Sequence, residues 1–154
     1  MVAPIQGLSF PAPPASGGTI EVSPGVHWLL TYLPFRPHAT SLWLLRDVDG
    51  WTMVDCGFPL RVVCQQTEAA WANTLGGRPV TRLIVTHHHP DHVGNCRWIC
   101  DRWGITPTMT MGEYARVRML TGKRGAVLLL RVYWWRGRLS IFIRTLLFPA
   151  KEAK

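Results

Sequence analysis

The segment Thr86-His87-His88-His89-Pro90-Asp91-His92-Val93-Gly94 gathers four histidines and a carboxylate between positions 87 and 92. Neutral imidazole and carboxylate are the ligands that borderline divalent cations such as zinc take. His87 and His89 are separated by one residue, so in extended backbone both side chains leave the chain on the same side. Asp91 and His92 follow where the chain turns into a helix, and they address a neighbouring position. Four donors on one short loop cannot all reach a single tetrahedral ion. The spacing therefore suits two adjacent cations, with His87 and His89 on the first and Asp91 and His92 on the second.

Such a loop needs rigid elements on both sides. Upstream of it, Thr81–Thr86 (TRLIVT) is a short apolar run of buried-strand type. Downstream, Val93, Cys96, Ile99, Cys100 and Trp103 predict a helix closed by Gly104. Pro107–Thr110 predicts a further short strand. Thr110-Met111-Gly112-Glu113 fits a capping box, in which Thr110 caps a helix running to about Leu120 and Glu113 reaches back to it. Ahead of the loop, Leu60, Cys64, Glu68, Trp71 and Leu75 recur at helical spacing, with Val63 and Thr67 beside them, until Gly76-Gly77 and Pro79 stop the helix. The front of the chain reads as an antiparallel meander: Thr19–Val22, Val26–Leu33, Ser41–Arg46 and Trp51–Asp55, with an Asp49-Gly50 hairpin signal between the last two.

The spacing His-x-His-x-Asp-His resembles the signature of the metallo-β-lactamase superfamily. Asp55-Cys56-Gly57 after a strand resembles the Asp-Thr-Gly turn upstream of that signature, with Cys56 in place of the Thr. VSPGVHWLLTYLPF and SLWLLRDVDGWTMVDCG resemble the opening strands of bacterial members, and the resemblance covers roughly Ile20 to Leu120. It implies an α+β fold, the N-terminal half of an αββα sandwich. It also implies metal-assisted hydrolysis, in which a hydroxide on one or two zinc ions attacks an ester, thioester or amide of a small-molecule substrate. His87, His89, Asp91 and His92 are then the metal ligands. Asp91 also acts in catalysis by orienting the hydroxide, and Asp55 supports the loop from behind the ligands. His88 and Pro90 occupy the x positions and carry no ligand role. The family's further ligands, a His, a bridging Asp and a last His, lie downstream of this motif, whereas here no His, Asp or Cys follows Asp101.

Charge separates the chain into parts. Residues 1–121 hold nine Arg against eight acids, whereas residues 122–154 hold eight Lys and Arg against Glu152 alone. The net +8 is thus a property of the tail, and total charge is no argument for nucleic-acid binding by the rest. The expected organisation is an extended, Pro- and Gly-rich arm over 1–18, a metallo-β-lactamase-like half domain over 19–121, and an irregular basic tail over 122–154. Such a tail is what a truncated or frameshifted gene would add. Two other functions follow from the same features: a non-catalytic remnant holding metal weakly or not at all, and an interaction protein using the tail on nucleic acid or membrane. No specific partner of either kind is expected, but an incomplete sandwich leaves an edge and apolar surface that favour self-association. The N-terminus has no basic n-region or apolar h-region, and the four cysteines form no disulfide framework, so a cytoplasmic setting is the expectation. Read singly, Asp91 is a helix N-cap, Cys96 and Cys100 are small buried apolar residues, and His27 and His38 are ordinary strand and loop histidines.

Overall fold

The structure, a computed structural model, describes residues 12–36, 38–125, 132–133 and 140–141. The first part of the expected arm and most of the basic tail lie outside these residues. The meander forms as its turn signals dictate. Strands β1 (Thr19–Ser23), β2 (Val26–Tyr32), β3 (Ala39–Arg46) and β4 (Trp51–Val54) pair antiparallel in chain order. The Asp49-Gly50 hairpin closes with the Asp47 N–H donating to the Gly50 carbonyl at 2.9 Å.

The chain then crosses over twice. Helix α1 (Arg61–Thr74) returns it to β5 (Val80–Ile84), parallel to β4. The one-turn helix α2 (Pro90–Val93) and helix α3 (Cys96–Trp103) return it to β6 (Pro107–Thr108), parallel to β5. Helix α4 (Met111–Gly125) follows, running past the expected end near Leu120. The six strands form one sheet in sequential order, and a two-stranded antiparallel sheet pairs β7 (Val132–Tyr133) with β8 (Ser140–Ile141). This is a mixed α+β architecture, one sheet with its helical layer, and it matches part of the expected sandwich.

Period-two alternation sets the faces of the sheet. Leu29, Leu42, Leu44, Met53 and Leu83 share one buried face, against which Ala70 and Trp71 of α1 and Cys96 and Ile99 of α3 pack. Trp71 stacks on Trp98 with ring centroids 5.2 Å apart and meets Trp103 edge-on at 5.4 Å. On the opposite face Val26, Trp28, Trp43, Leu45 and Val54 are half-buried.

Two local expectations need correction. The buried stripe of α1 is Val63, Gln66, Thr67, Ala70 and Trp71, so Glu68 is exposed and Cys64 only half-buried. The reason is Gln66: its amide accepts from the Tyr32 N–H at 2.7 Å and donates to the Tyr32 carbonyl at 3.3 Å, closing the open end of β2. The helix expected from Val93 is two pieces, α2 and α3, joined through Gly94 and Asn95.

Candidate metal centre

The loop leaves the carboxyl end of β5, where the parallel part of the sheet opens. Pro90 at the first turn of α2 forces His89 into extended backbone, φ −63° and ψ 144°. The turn then closes by bonds from the His92 and Val93 N–H groups to the His89 carbonyl at 2.9 and 3.0 Å. A second loop, from Asp55 to Pro59 after β4, runs alongside. The Cys56 N–H donates to the His92 carbonyl at 2.7 Å, and the Asn95 N–H donates to the Gly57 carbonyl at 3.2 Å. Gly94 makes this approach possible, since a Cβ there would lie 2.2 Å from Cδ of Pro59.

Asp55 is the hinge of the arrangement. It is the one described non-glycine residue with positive φ, 63°, a conformation that L residues adopt at a cost. That turn aims its buried carboxylate at both ends of the His loop. It accepts from the Thr86 N–H at 2.7 Å, from the Thr86 hydroxyl at 2.8 and 3.0 Å, and from Nδ1 of His92 at 2.8 Å.

These bonds fix protons. A carboxylate only accepts, so the Thr86 hydroxyl donates to it and leaves its own oxygen for Nδ1 of His87, 2.9 Å away. His87 thus carries its proton on Nδ1 and a lone pair on Nε2. His92 donates its Nδ1–H to Asp55, which in the neutral imidazole leaves the lone pair on Nε2. Burial, and after it the adjoining His92 and His89, hold the His87 imidazole below its usual value, which favours the neutral, ligating form.

The sequence-predicted residues come together. Nε2 of His87 lies 3.1 Å from Nδ1 of His89. Nε2 of His92 lies 3.4 Å from Oδ2 of Asp91, which the Thr40 hydroxyl holds at 3.2 Å. The His87 and His92 rings adjoin, with centroids 4.0 Å apart. Two donors on one zinc, each at about 2.0–2.1 Å and at a tetrahedral angle, stand about 3.3–3.4 Å apart. Each pair therefore has the chemistry and spacing of two corners of such a site. At the second pair, two electron-rich atoms face each other, a place for a proton or a cation. Among the described residues, no group of three or more His, Cys, Asp and Glu side chains is disposed to hold a single ion. The residues present fit divalent cations in pairs and complete neither coordination shell.

Asp55 lies at Nδ1 of His92, and Asp91 sits in the first turn of α2 without acting as its N-cap. His88 meets His89 edge-on, with ring centroids 4.7 Å apart, and is held by Glu113, whose Oε2 accepts from its N–H at 2.9 Å and from Nδ1 at 2.6 Å. This corrects the capping box: the Glu113 N–H donates to the Thr110 hydroxyl at 3.4 Å, but the Glu113 carboxylate serves His88 instead of reaching back. The His88 hydrogen bonds hold the Glu113 carboxyl below the usual carboxylate range. For Thr40 and Thr86 the sequence carries no signal, since a threonine in a strand or at its end has no pattern that marks such a role. Cys56 and Cys96 are buried; burial pushes the Cys56 thiol up, so it is not a ready thiolate ligand. His27 is on β2 against Trp51, and His38 is exposed.

The sequence profile of the metallo-beta-lactamase superfamily matches residues 35–148, and the chain belongs to that superfamily. Among solved structures, it is similar to a beta-lactamase domain protein from Burkholderia ambifaria, with 43% identity and a TM-score of 0.68, over 71% of this chain and 35% of that one. It is also similar to a metallo-beta-lactamase family protein from Thermus thermophilus, with 26% identity and a TM-score of 0.59, over 66% and 34% of the two chains. A metallo-beta-lactamase from Pseudomonas aeruginosa, solved in a mono-zinc form, shares the fold at 15% identity and a TM-score of 0.55, over 70% and 46%. The chain thus spans about a third of the length of the first two, 35% and 34%. No functionally curated protein matches it. Among the described residues, no helix is long and apolar enough to cross a membrane.

Proposed function

We propose that the chain carries the first part of the metal centre of a zinc-dependent hydrolase, with His87 and His89 addressing one cation and Asp91 and His92 a second. The observation that carries this is the pairing of donors held from behind: Asp55 and Thr86 engage Nδ1 of His92 and His87, so that the two Nε2 atoms face Oδ2 of Asp91 and Nδ1 of His89. When bound, a divalent cation here supplies Lewis acidity and a water nucleophile at neutral pH. This chain's residues do the rest. Thr40 holds Asp91 in place to orient that water toward an ester, thioester or amide carbonyl, and Asp55 aims His92 directly and His87 through Thr86.

A second reading has its own support. Each pair offers two donors where a catalytic zinc takes about three, and no third is disposed to join them among the described residues. On that ground the chain holds metal weakly and turns over little substrate. Zinc titration of the full chain, alongside hydrolysis of a generic thioester and a β-lactam, tests both. Zinc binding with turnover supports the hydrolase, weak binding without turnover the remnant, and no binding overturns the metal assignment altogether.

A further inference from the structure

We propose that Glu113 is a positioning residue for the His87–His89 pair, acting by clamping His88 from helix α4; this rests on the metal-centre reading above. Alternation along an extended loop sends every second side chain to the same side. Holding the middle residue of three to one side therefore commits its neighbours to the other. Glu113 does this through one oxygen, Oε2, which takes both the His88 N–H at 2.9 Å and Nδ1 at 2.6 Å. The backbone bond pins the peptide joining His87 to His88. The side-chain bond keeps the His88 ring off the position that Nε2 of His87 and Nδ1 of His89 face.

The carboxylate is itself fixed. Nη1 of Arg116 contacts Oε1 at 3.4 Å, so Oε2 is the oxygen left toward the loop. Both side chains of the pair are about four-fifths buried, with exposures of 18% for His88 and 19% for Glu113. Thr86 and His92 are tied to Asp55 of the β4 loop, and His88 is tied to Glu113 of α4. The tie at His88, between the first two donors, comes from α4, so the placement of α4 sets that pair.

The test compares Glu113→Ala, Glu113→Gln and Thr110→Ala in the full chain by zinc competition titration, metal-free thermal melting and amide hydrogen exchange. Loss of an orienting partner directly behind a ligand weakens metal binding by about 10–100-fold; Glu113 acts one residue removed, through His88, and Glu113→Ala should lose about tenfold. Glu113→Gln keeps an oxygen that can accept both bonds and should recover most of the affinity. Thr110→Ala removes the helix cap without touching His88; it should lower the melting temperature and leave zinc binding unchanged. Equal zinc binding by wild type and Glu113→Ala overturns the clamp, as does a Thr110→Ala chain that loses zinc in parallel. If the wild-type chain binds no zinc, the metal reading fails and the clamp is decided by exchange alone. Glu113→Ala should then speed exchange of the His88 amide by about tenfold or more relative to Leu83, and unchanged exchange overturns it.

Discussion

Asparagine in place of Asp55 keeps the shape of the side chain and tolerates positive φ, but it offers one acceptor where two are used. The carboxylate is 4% exposed and takes three donors: the Thr86 N–H, the Thr86 hydroxyl and Nδ1 of His92. The amide NH2 group must confront either Thr86 or His92, so at least one bond to a charged acceptor is lost and a buried donor is stranded. Bonds of this kind contribute about 1.5–3 kcal/mol, and Asp55→Asn should lose about 2–3 kcal/mol. In a chain of this size that is a fall of about 4–12 °C in melting temperature. If the amide turns toward His92, the imidazole must move its proton to Nε2, the atom facing Asp91, and zinc affinity should fall about 10–100-fold. Asp55→Gly and Asp55→Ala separate backbone from side chain. Both lose every acceptor, but glycine relieves a strain of about 1–2 kcal/mol at φ 63°. The glycine variant should therefore melt higher than the alanine variant while losing zinc equally. Metal-free calorimetry and zinc competition titration measure both effects. An asparagine variant with wild-type melting and zinc affinity, or an alanine variant melting at or above the glycine variant, would refute the reasoning.

The double variant His87→Ala/His89→Ala should lose zinc with little change in melting, because both rings sit on the loop outside the core; a collapsed melting temperature with zinc retained would make them core residues. Gly94→Ala places a methyl 2.2 Å from Cδ of Pro59 and 2.4 Å from the Pro90 carbonyl; forcing the two loops apart should cost about 3 kcal/mol, and melting within a degree of wild type would contradict it. Burial holds the His27 imidazole below its usual value, partly opposed by Glu21. Between about pH 6.5 and that lower value the unfolded chain binds more protons, so stability should fall as pH drops through this window, and His27→Leu should flatten the dependence; denaturant midpoints across pH that stay parallel for the two chains would count against it.

Much of the architecture was written locally. Asp49-Gly50, Gly76-Gly77 and Gly104 mark ends the structure keeps, and the period-two alternation of β3 places Leu42 and Leu44 in the core with Thr40 on the same face. The motif also placed His87, His89, Asp91 and His92 together, since their spacing is short enough for one turn of backbone to decide. What local pattern could not give is the support behind them. Thr40 reaches Asp91 from 51 positions away, and Glu113 reaches His88 from 25. Each has a plausible local role, strand core for one and capping box for the other, and only the folded sheet brings the partners within reach. Gln66 is similar: a polar residue on the buried stripe of α1 makes sense only once the unpaired end of β2 lies beneath it.

The most direct test of the paired-donor account is a crystal of the full chain grown with zinc and measured at the zinc absorption edge. The account predicts an anomalous peak about 2.0–2.1 Å from both Nε2 of His87 and Nδ1 of His89, with His88 still on Glu113. A peak elsewhere, at the cysteines or on His88, or no peak at a zinc concentration that saturates binding in solution, would contradict it.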